Sequence, residues 1–426
     1  MLTIADTFWA GSPDAEQFAR AQDERLDRAR RAIERLRQVS GTRTVENTLA
    51  LYDEAIAELD QAGAHPRLIE NVHPDGALRE AAEKSVQKAA AFATELSLDR
   101  TVYEALAAIE TKGLDAETRH YLEKTLREFR LAGVDRDAET RVRIRALNEE
   151  LVLIGQEFAR NIREDRRRVP IEHEGELNGL PRDFVERHPP DADGRVYLTT
   201  DQTDALPVFL YANSEELRKR MYLAYTTRAH PANMGVLDRM IAKRHELATL
   251  LGFAHWADYV TADKMVGSAA NASDFIEKIT EAAGPRMEAD YQELLARKRR
   301  DDPDANQIQL WESAYYQEQV KKLEYSFDAQ ELRPYLPYEQ VKRGVLDVTG
   351  RLFSVAYRKL ADAPTWHPSV EVYEVLESGR LVGRFYLDMH PRPDKYSHAA
   401  QFDLRTGSHD GAIPEAALVC NVPGGE

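Results

Sequence analysis

Apolar positions recur at helical spacing through most of the first 350 residues. Residues 14–39 combine Ala, Arg, Glu and Gln with spaced Leu and Ile, and 47–59 and 76–96 continue the pattern. Residues 99–112 and 115–132 predict two more helices. In the latter, Leu122, Leu126 and Phe129 fall at i, i+4 and i+7, and Gly133 is placed as the stop. The longest helical signal runs over 137–165, where Leu147, Leu151, Ile154 and Phe158 form a continuous stripe. Gly and Pro then interrupt the pattern over 169–195, and Val196–Thr199 reads as a short strand. Helices resume at Asn213, with Glu216 as capping-box partner, at 236–251 with Gly252 at the C′ position, from Ser273 to about residue 300, and over 311–325. After Pro337, the residues Val341, Val345, Val348 and Leu352 mark a further amphipathic helix.

The period changes near the end. Leu381, Gly383, Phe385, Leu387 and Met389 alternate with Val382, Arg384, Tyr386, Asp388 and His390, the spacing of a half-buried strand. Residues 370–376 form a second β-rich run, joined to it through Glu377-Ser378-Gly379-Arg380 as a hairpin. Two further runs, 399–404 and 416–422, are separated by a Gly/Ser/Asp loop. The fold class is mainly α, with a small mixed or antiparallel sheet near the C-terminus.

Composition narrows the function. The 426 residues carry a net charge of -16, with 43% apolar and 31% charged positions. That balance argues against a duplex nucleic-acid binder, which needs a basic footprint, and against docking on an anionic membrane. No apolar run has the length of a membrane span, and the N-terminal residues lack a signal-peptide pattern. With Cys420 the only cysteine, no intrachain disulfide can form, and the expected compartment is the cytoplasm.

Zinc peptidase chemistry needs two His at i and i+4 on a helix with a Glu between them, so that both imidazoles meet one metal and the carboxylate activates water. His173-Glu174 is followed by Leu177 at i+4, and His245-Glu246 by Thr249, so neither completes that pattern. No H-x-x-E-H and no Cys-based metal spacing occur. His245 and Glu246 read as structural residues of a helix. A metal role for His390 and His398 together with Asp388 lacks a regular ligand spacing, and the two histidines read as loop residues hydrogen-bonded to neighbouring backbone. Cys420 reads as a small core residue, Tyr315-Tyr316 as packing, and Arg163–Arg168 as a solvated face. There is no G-x-S-x-G and no phosphate-binding glycine loop. The strand over 416–422 is open to two readings. As an exposed edge it would hold extended peptides by strand addition; alternatively it is internal and paired on both sides.

Several segments together resemble the thimet oligopeptidase and neurolysin family of zinc metallopeptidases. They are TVENTLALYDEAI (Thr44–Ile56), EFARNIRED (Glu157–Asp165) with ELNGLPRDFV (Glu176–Val185), YLAYTTRAHPANMGVLD (Tyr222–Asp238) and RHELATLLGF (Arg244–Phe253). WESAYY (Trp311–Tyr316), LRPYLPYEQVKRGVL (Leu332–Leu346) and FYLDMHPRPDKYSHAAQF followed by ALVCNVP complete the series in order. PDK at Pro393–Lys395 and NVP at Asn421–Pro423 depart slightly from the family pattern.

The resemblance implies two helical lobes flanking a narrow channel for short peptides, the second lobe incomplete here, and a zinc helix with H-E-x-x-H downstream. It implies an N-terminal helical domain over 1–212 and an incomplete catalytic-type domain over 213–426. This chain then contributes no catalytic residue and no metal ligand, zinc belonging to the complete family enzyme. Ala417, Val419 and Asn421 would line the peptide cleft, and the implied partner is a missing or separately encoded C-terminal catalytic half. The alternative is a non-catalytic peptide-binding or scaffold protein. Helices with a face meant for absent polypeptide would expose apolar surface. The isolated chain is therefore expected to bind an apolar dye or to self-associate. A dye-silent monomer in fluorescence titration and light scattering would contradict the fragment reading.

Overall fold

The computed structural model describes residues 7–408 and 411–422. Six helices come first: α1 (Ala15–Gln38), α2 (Ala50–Val72), α3 (Gly76–Ser97), α4 (Arg100–Ala107), α5 (Ala116–Ala132) and α6 (Ala138–Glu164). Next come β1 (Arg168–Pro170), α7 (Arg182–Glu186), β2 (Tyr197–Thr199), α8 (Gln202–Tyr211), α9 (Glu215–Thr226), α10 (Ala232–Leu250) and α11 (Trp256–Thr261). The chain continues through α12 (Ala269–Lys298), α13 (Ser313–Glu324), α14 (Ala329–Leu332) and α15 (Tyr338–Phe353). It ends in β3 (Val355–Lys359), β4 (Glu371–Glu377), β5 (Arg380–Asp388), β6 (Ala400–Arg405) and β7 (Glu415–Val419). The fold is mainly α, as the periodicity indicates. Two compact units share it: one takes residues through Gly155, Met240–Tyr259 and from Lys342 onward, the other Gln156–Arg239 and Val260–Val341.

In the first unit, aspartates start the helices. Asp14, Asp75, Asp99 and Asp115 each accept a backbone N–H of the following first turn, satisfying a donor the helix itself cannot. Gly133 ends α5 at φ 97°, as its position in the sequence suggests. The helix expected over 47–59 is longer than that. A π-helical turn over Val45–Leu49 leads into α2, which continues through Pro66 to Val72. A proline inside a helix costs about 3 kcal/mol. Leu68, Ile69 and Val72 lie beyond it and are fully or almost fully buried, and each such side chain recovers about 1.5–3 kcal/mol. Burial therefore outweighs the local break signal. The helix expected over 99–112 is shorter, ending at Ala107.

The sheet at the end of the chain has the order β3-β4-β5-β7-β6 and is mixed, because β5 and β7 run parallel while the other neighbours are antiparallel. β4 and β5 form the expected hairpin, with Ser378 and Gly379 both at positive φ, as a twisted two-residue turn requires. β3 has no counterpart in the periodicity reading. One face of the sheet shares a core with the early helices: Tyr386, Val372, Leu404, Ala417 and Val419 pack with Trp9, Phe18, Leu68, Ile69 and Leu78.

The second unit has a smaller core of Val169, Phe184, Leu198, Val208, Leu217 and Met221. β1 and β2 pair antiparallel, so the strand read at Val196–Thr199 is present as Tyr197–Thr199. α8 escaped the pattern because Pro207 sits inside it. The α9 cap is Ser214, one residue later than Asn213, and the α12 cap is Ser268 rather than Ser273. Asn213 serves elsewhere. Its N–H donates to Asn178 O at 2.9 Å, closing the turn around Gly179. Gly179 has φ +91°, and a Cβ there would meet Tyr211 O at 2.2 Å. Gly179→Ala is expected to cost about 2–4 kcal/mol, from left-handed strain plus a backbone clash. Gly194→Ala, also at positive φ but in open space, should cost only about 1 kcal/mol. Urea unfolding midpoints of the two variants check the ordering.

Candidate functional site

The family-like segment FYLDMHPRPDKYSHAAQF occupies β5, the following loop and the start of β6. Its centre is Asp388, the last residue of β5, fully buried. Arg392 grips the carboxylate with both terminal nitrogens at 2.7 Å, Trp366 Nε1 donates at 2.8 Å and Lys395 Nζ approaches at 2.8 Å. Lys395 also donates to the carbonyls of Asp388, His390 and Cys420, at 2.9, 2.6 and 2.7 Å. Arg392 reaches Val72 O at 2.6 Å. One carboxylate thus organises the loop after β5, the exit of β7 and the end of α2. Burial pushes the Asp388 carboxyl up, but the Arg392 hydrogen bonds and charge, together with Lys395, outweigh it and hold it below the usual carboxylate range.

A second buried cluster lies on the same sheet. Glu415 opens β7 and accepts from Arg384 at 2.9 Å, from Tyr386 OH at 3.2 Å and pairs with Arg405 at 3.2 Å. Arg384 also lies 3.5 Å from Glu374, which Arg358 holds at 2.5 Å. The half-buried strand expected from the alternation is buried on both faces at its centre. The face with Arg384, Tyr386 and Asp388 is the deeper one, because each charge there meets an opposite charge.

Ala417 and Val419 have no exposed surface and face the core shared with the helices. Asn421 Nδ2 donates to Tyr396 O at 3.0 Å and His398 O at 3.3 Å, tying down the loop before β6. The exposed edge expected over 416–422 is not there: β7 pairs with β5 on one side and β6 on the other, so the internal-strand reading is correct. The edges of this sheet are β3 and β6. His65 of α2 is fully buried, and that burial, together with the nearby Arg25 and Arg405 charges, keeps its imidazole well below the usual range, hence neutral.

The remaining candidates fall into structural roles. Glu246 pairs with Arg143 at 2.5 Å, and the His245 carbonyl accepts from Thr249. His390 Nδ1 lies 3.0 Å from Val422 O, and the His398 ring packs on Tyr396. Burial raises the Cys420 thiol, the opposite of what a nucleophile needs. Tyr315 and Tyr316 meet edge to face, with Arg218 stacked over Tyr315 at 4.0 Å. In the same WESAYY segment, Glu312 is buried and takes Lys298 Nζ at 2.7 Å. Among the described residues no group of three His, Cys, Asp or Glu is placed to hold a metal ion. The carboxylates of the buried clusters are already taken up by Arg and Lys, so this donor set does not fit the zinc that the family resemblance implies. Nor, among the described residues, is any helix long and apolar enough to cross a membrane.

The carboxylate-centred lock lies in the family-like segment of the sheet, and the Arg-Asn-Ile and Trp-Glu-x-x-Tyr-Tyr segments precede it in the chain. The model of peptidase family M3 matches residues 208–425, and the chain belongs to that family. It is similar to oligopeptidase A of Escherichia coli, 28% identical over 95% of this chain and 63% of that protein. The thimet-like oligopeptidase of Dictyostelium discoideum is 24% identical over 95% of this chain and 64% of its own length. Saccharolysin of Saccharomyces cerevisiae is 26% identical, with shares of 83% and 53%. The chain thus spans roughly three fifths of the length of these curated relatives.

The lock can be tested by pH. Asp388→Asn leaves two buried cations without their counter-ion and should cost about 3–5 kcal/mol at pH 7. Because the folded carboxyl sits below its unfolded value of about 3.9, its contribution is fully present above that pH. It is lost as pH falls through the folded value. The stability gap between the parent protein and Asp388→Asn should therefore narrow between pH 5 and pH 2, measured by chemical unfolding at each pH.

Proposed function

We propose that this chain supplies the N-terminal portion of a zinc-dependent oligopeptidase acting on short peptides. The observation that carries this reading is the match itself: nearly the whole chain aligns with proteins named oligopeptidases, yet spans only 63% of the first of them. The ligand set supports it as well. H-E-x-x-H is absent from the 426 residues, so zinc ligands and the base that activates water would come from polypeptide outside them. The matched region begins at residue 208, which supports reading 213–426 as the start of a catalytic-type domain and 1–212 as a helical domain before it. The place of action is proposed to be the cytoplasm.

Under this reading the sheet forms part of the wall around the peptide. Ala417, Val419 and Asn421 set the register of that wall from within, since their strand has no unpaired side to offer. An extended peptide would add only at β3 or β6. The purified chain is expected to carry no stoichiometric zinc and to leave a quenched fluorogenic peptide intact. Metal analysis by mass spectrometry, with the cleavage assay run with and without chelator, tests both. Chelator-sensitive turnover by these residues alone would overturn the proposal.

A further inference from the structure

Three helices of the first unit enclose a cavity of about 340 Å³. α2 lines it with one face, on which Tyr52, Leu59 and Asp60 recur at helical spacing; α3 contributes Ala89 and Ala93, and α5 contributes Glu128. Tyr52 is only 8% exposed, and its ring packs on Phe129 with centroids 5.9 Å apart. Its hydroxyl makes no hydrogen bond among the described residues. Buried hydroxyls ordinarily find a partner, as the neighbouring Tyr121 does by donating to Asp53 at 3.1 Å.

The charge around that hydroxyl is negative. Burial, and then the charges of Glu128, Asp60 and Asp53, push the Tyr52 phenol above its ordinary range. Asp60 makes no ion pair among the described residues. Desolvation by the cavity wall, and then Asp53, push its carboxyl up, and Arg67 in the same wall offsets this only in part. Glu128 has Lys124 at 3.5 Å, with both side chains more than half exposed. An anion in the cavity would be repelled, and a wholly apolar molecule would leave the Tyr52 hydroxyl unpaired. We propose that this cavity binds a cationic group on an apolar stem, an alkylammonium or guanidinium that donates to the Tyr52 hydroxyl in the field of Asp60 and Glu128 while its stem lies along Leu59, Ala89 and Ala93. Such a group ends either a free amine or a basic side chain of a peptide. The inference stands apart from the oligopeptidase reading.

Calorimetric titration of the present chain tests it with hexylamine, using hexanol and hexanoate as stem-matched controls. Nα-acetyl-lysine methylamide is compared with its norleucine counterpart. Hexylamine should bind at least about tenfold more tightly than hexanol, and hexanoate should not bind. A chain of net charge -16 attracts amines over its whole surface, so the variants decide. Tyr52→Phe should weaken hexylamine about five- to tenfold, with the urea midpoint unchanged or higher, because the hydroxyl has no partner in the protein to lose. Asp60→Asn should weaken it about three- to tenfold. Binding of the lysine derivative but not of the norleucine one supports the site and assigns it to peptide side chains. Binding of hexylamine alone supports it and assigns it to free amines. Equal affinity for hexanol and hexylamine, no binding of either amine, or full affinity in Tyr52→Phe overturns the proposal. A lowered urea midpoint in Tyr52→Phe overturns it too, since the hydroxyl then has a partner within the fold.

Discussion

A single buried carboxylate fixes the end of this fold. Removing Asp388 from water is costly, and the cost is met only when Arg392, Lys395 and the Trp366 indole are all in place. Trp366 lies before β4 and the two cations on the loop after β5, and Arg392 and Lys395 also bind carbonyls of α2 and of the residue after β7. Hence the loop after β5 cannot move without uncovering a charge. Removing any one partner is costly, because the charges that remain stay buried without their counter-ion.

Glu415 does the same at the other end of β7. The hydroxyl of Tyr386 donates to it and itself accepts the Phe8 N–H at 3.1 Å. Residues from opposite ends of the chain are thereby joined through one side chain. The apolar contact of Trp9 and Phe18 with the sheet then has a defined register. Hydrophobic burial supplies the bulk of the free energy, and the buried ion pairs choose among the packings it would allow.

Helix content, the Gly133 stop and the β4–β5 hairpin were legible because they depend on local spacing, whereas the N-terminal caps read at Asn213 and Ser273 fall at Ser214 and Ser268. The passage of α2 through Pro66 was not, since the three side chains that stabilise it bury against residues distant in sequence. The same reason hid β7's position. Alternation shows that Ala417 and Val419 share a face, but not whether a neighbour covers each side of the strand. The inward face of β5 was hidden too. Arg384 and Asp388 look like solvent-facing residues until Glu415, Lys395 and Arg392 are placed beside them. The candidate site was legible as a family segment, but the functions of Asp388, Arg392 and Lys395 within it were not. The signal that could have found them is an acid on a strand otherwise buried, followed by cations at four and seven residues.

The spacing read at Val341, Val345, Val348 and Leu352 is present on α15, but within the first unit Val345, Val348 and Leu352 look outward. α12 repeats the situation in the second unit. Gly284 and Pro285 together cost that helix about 4 kcal/mol, which solvent-exposed turns cannot return. Burying what is still exposed of Phe275, Ile276, Ile279 and Met287 would return about 4–7 kcal/mol, so only close coverage offsets that cost. Each unit thus carries, independently, a helix whose pattern specifies a contact that its own unit does not make.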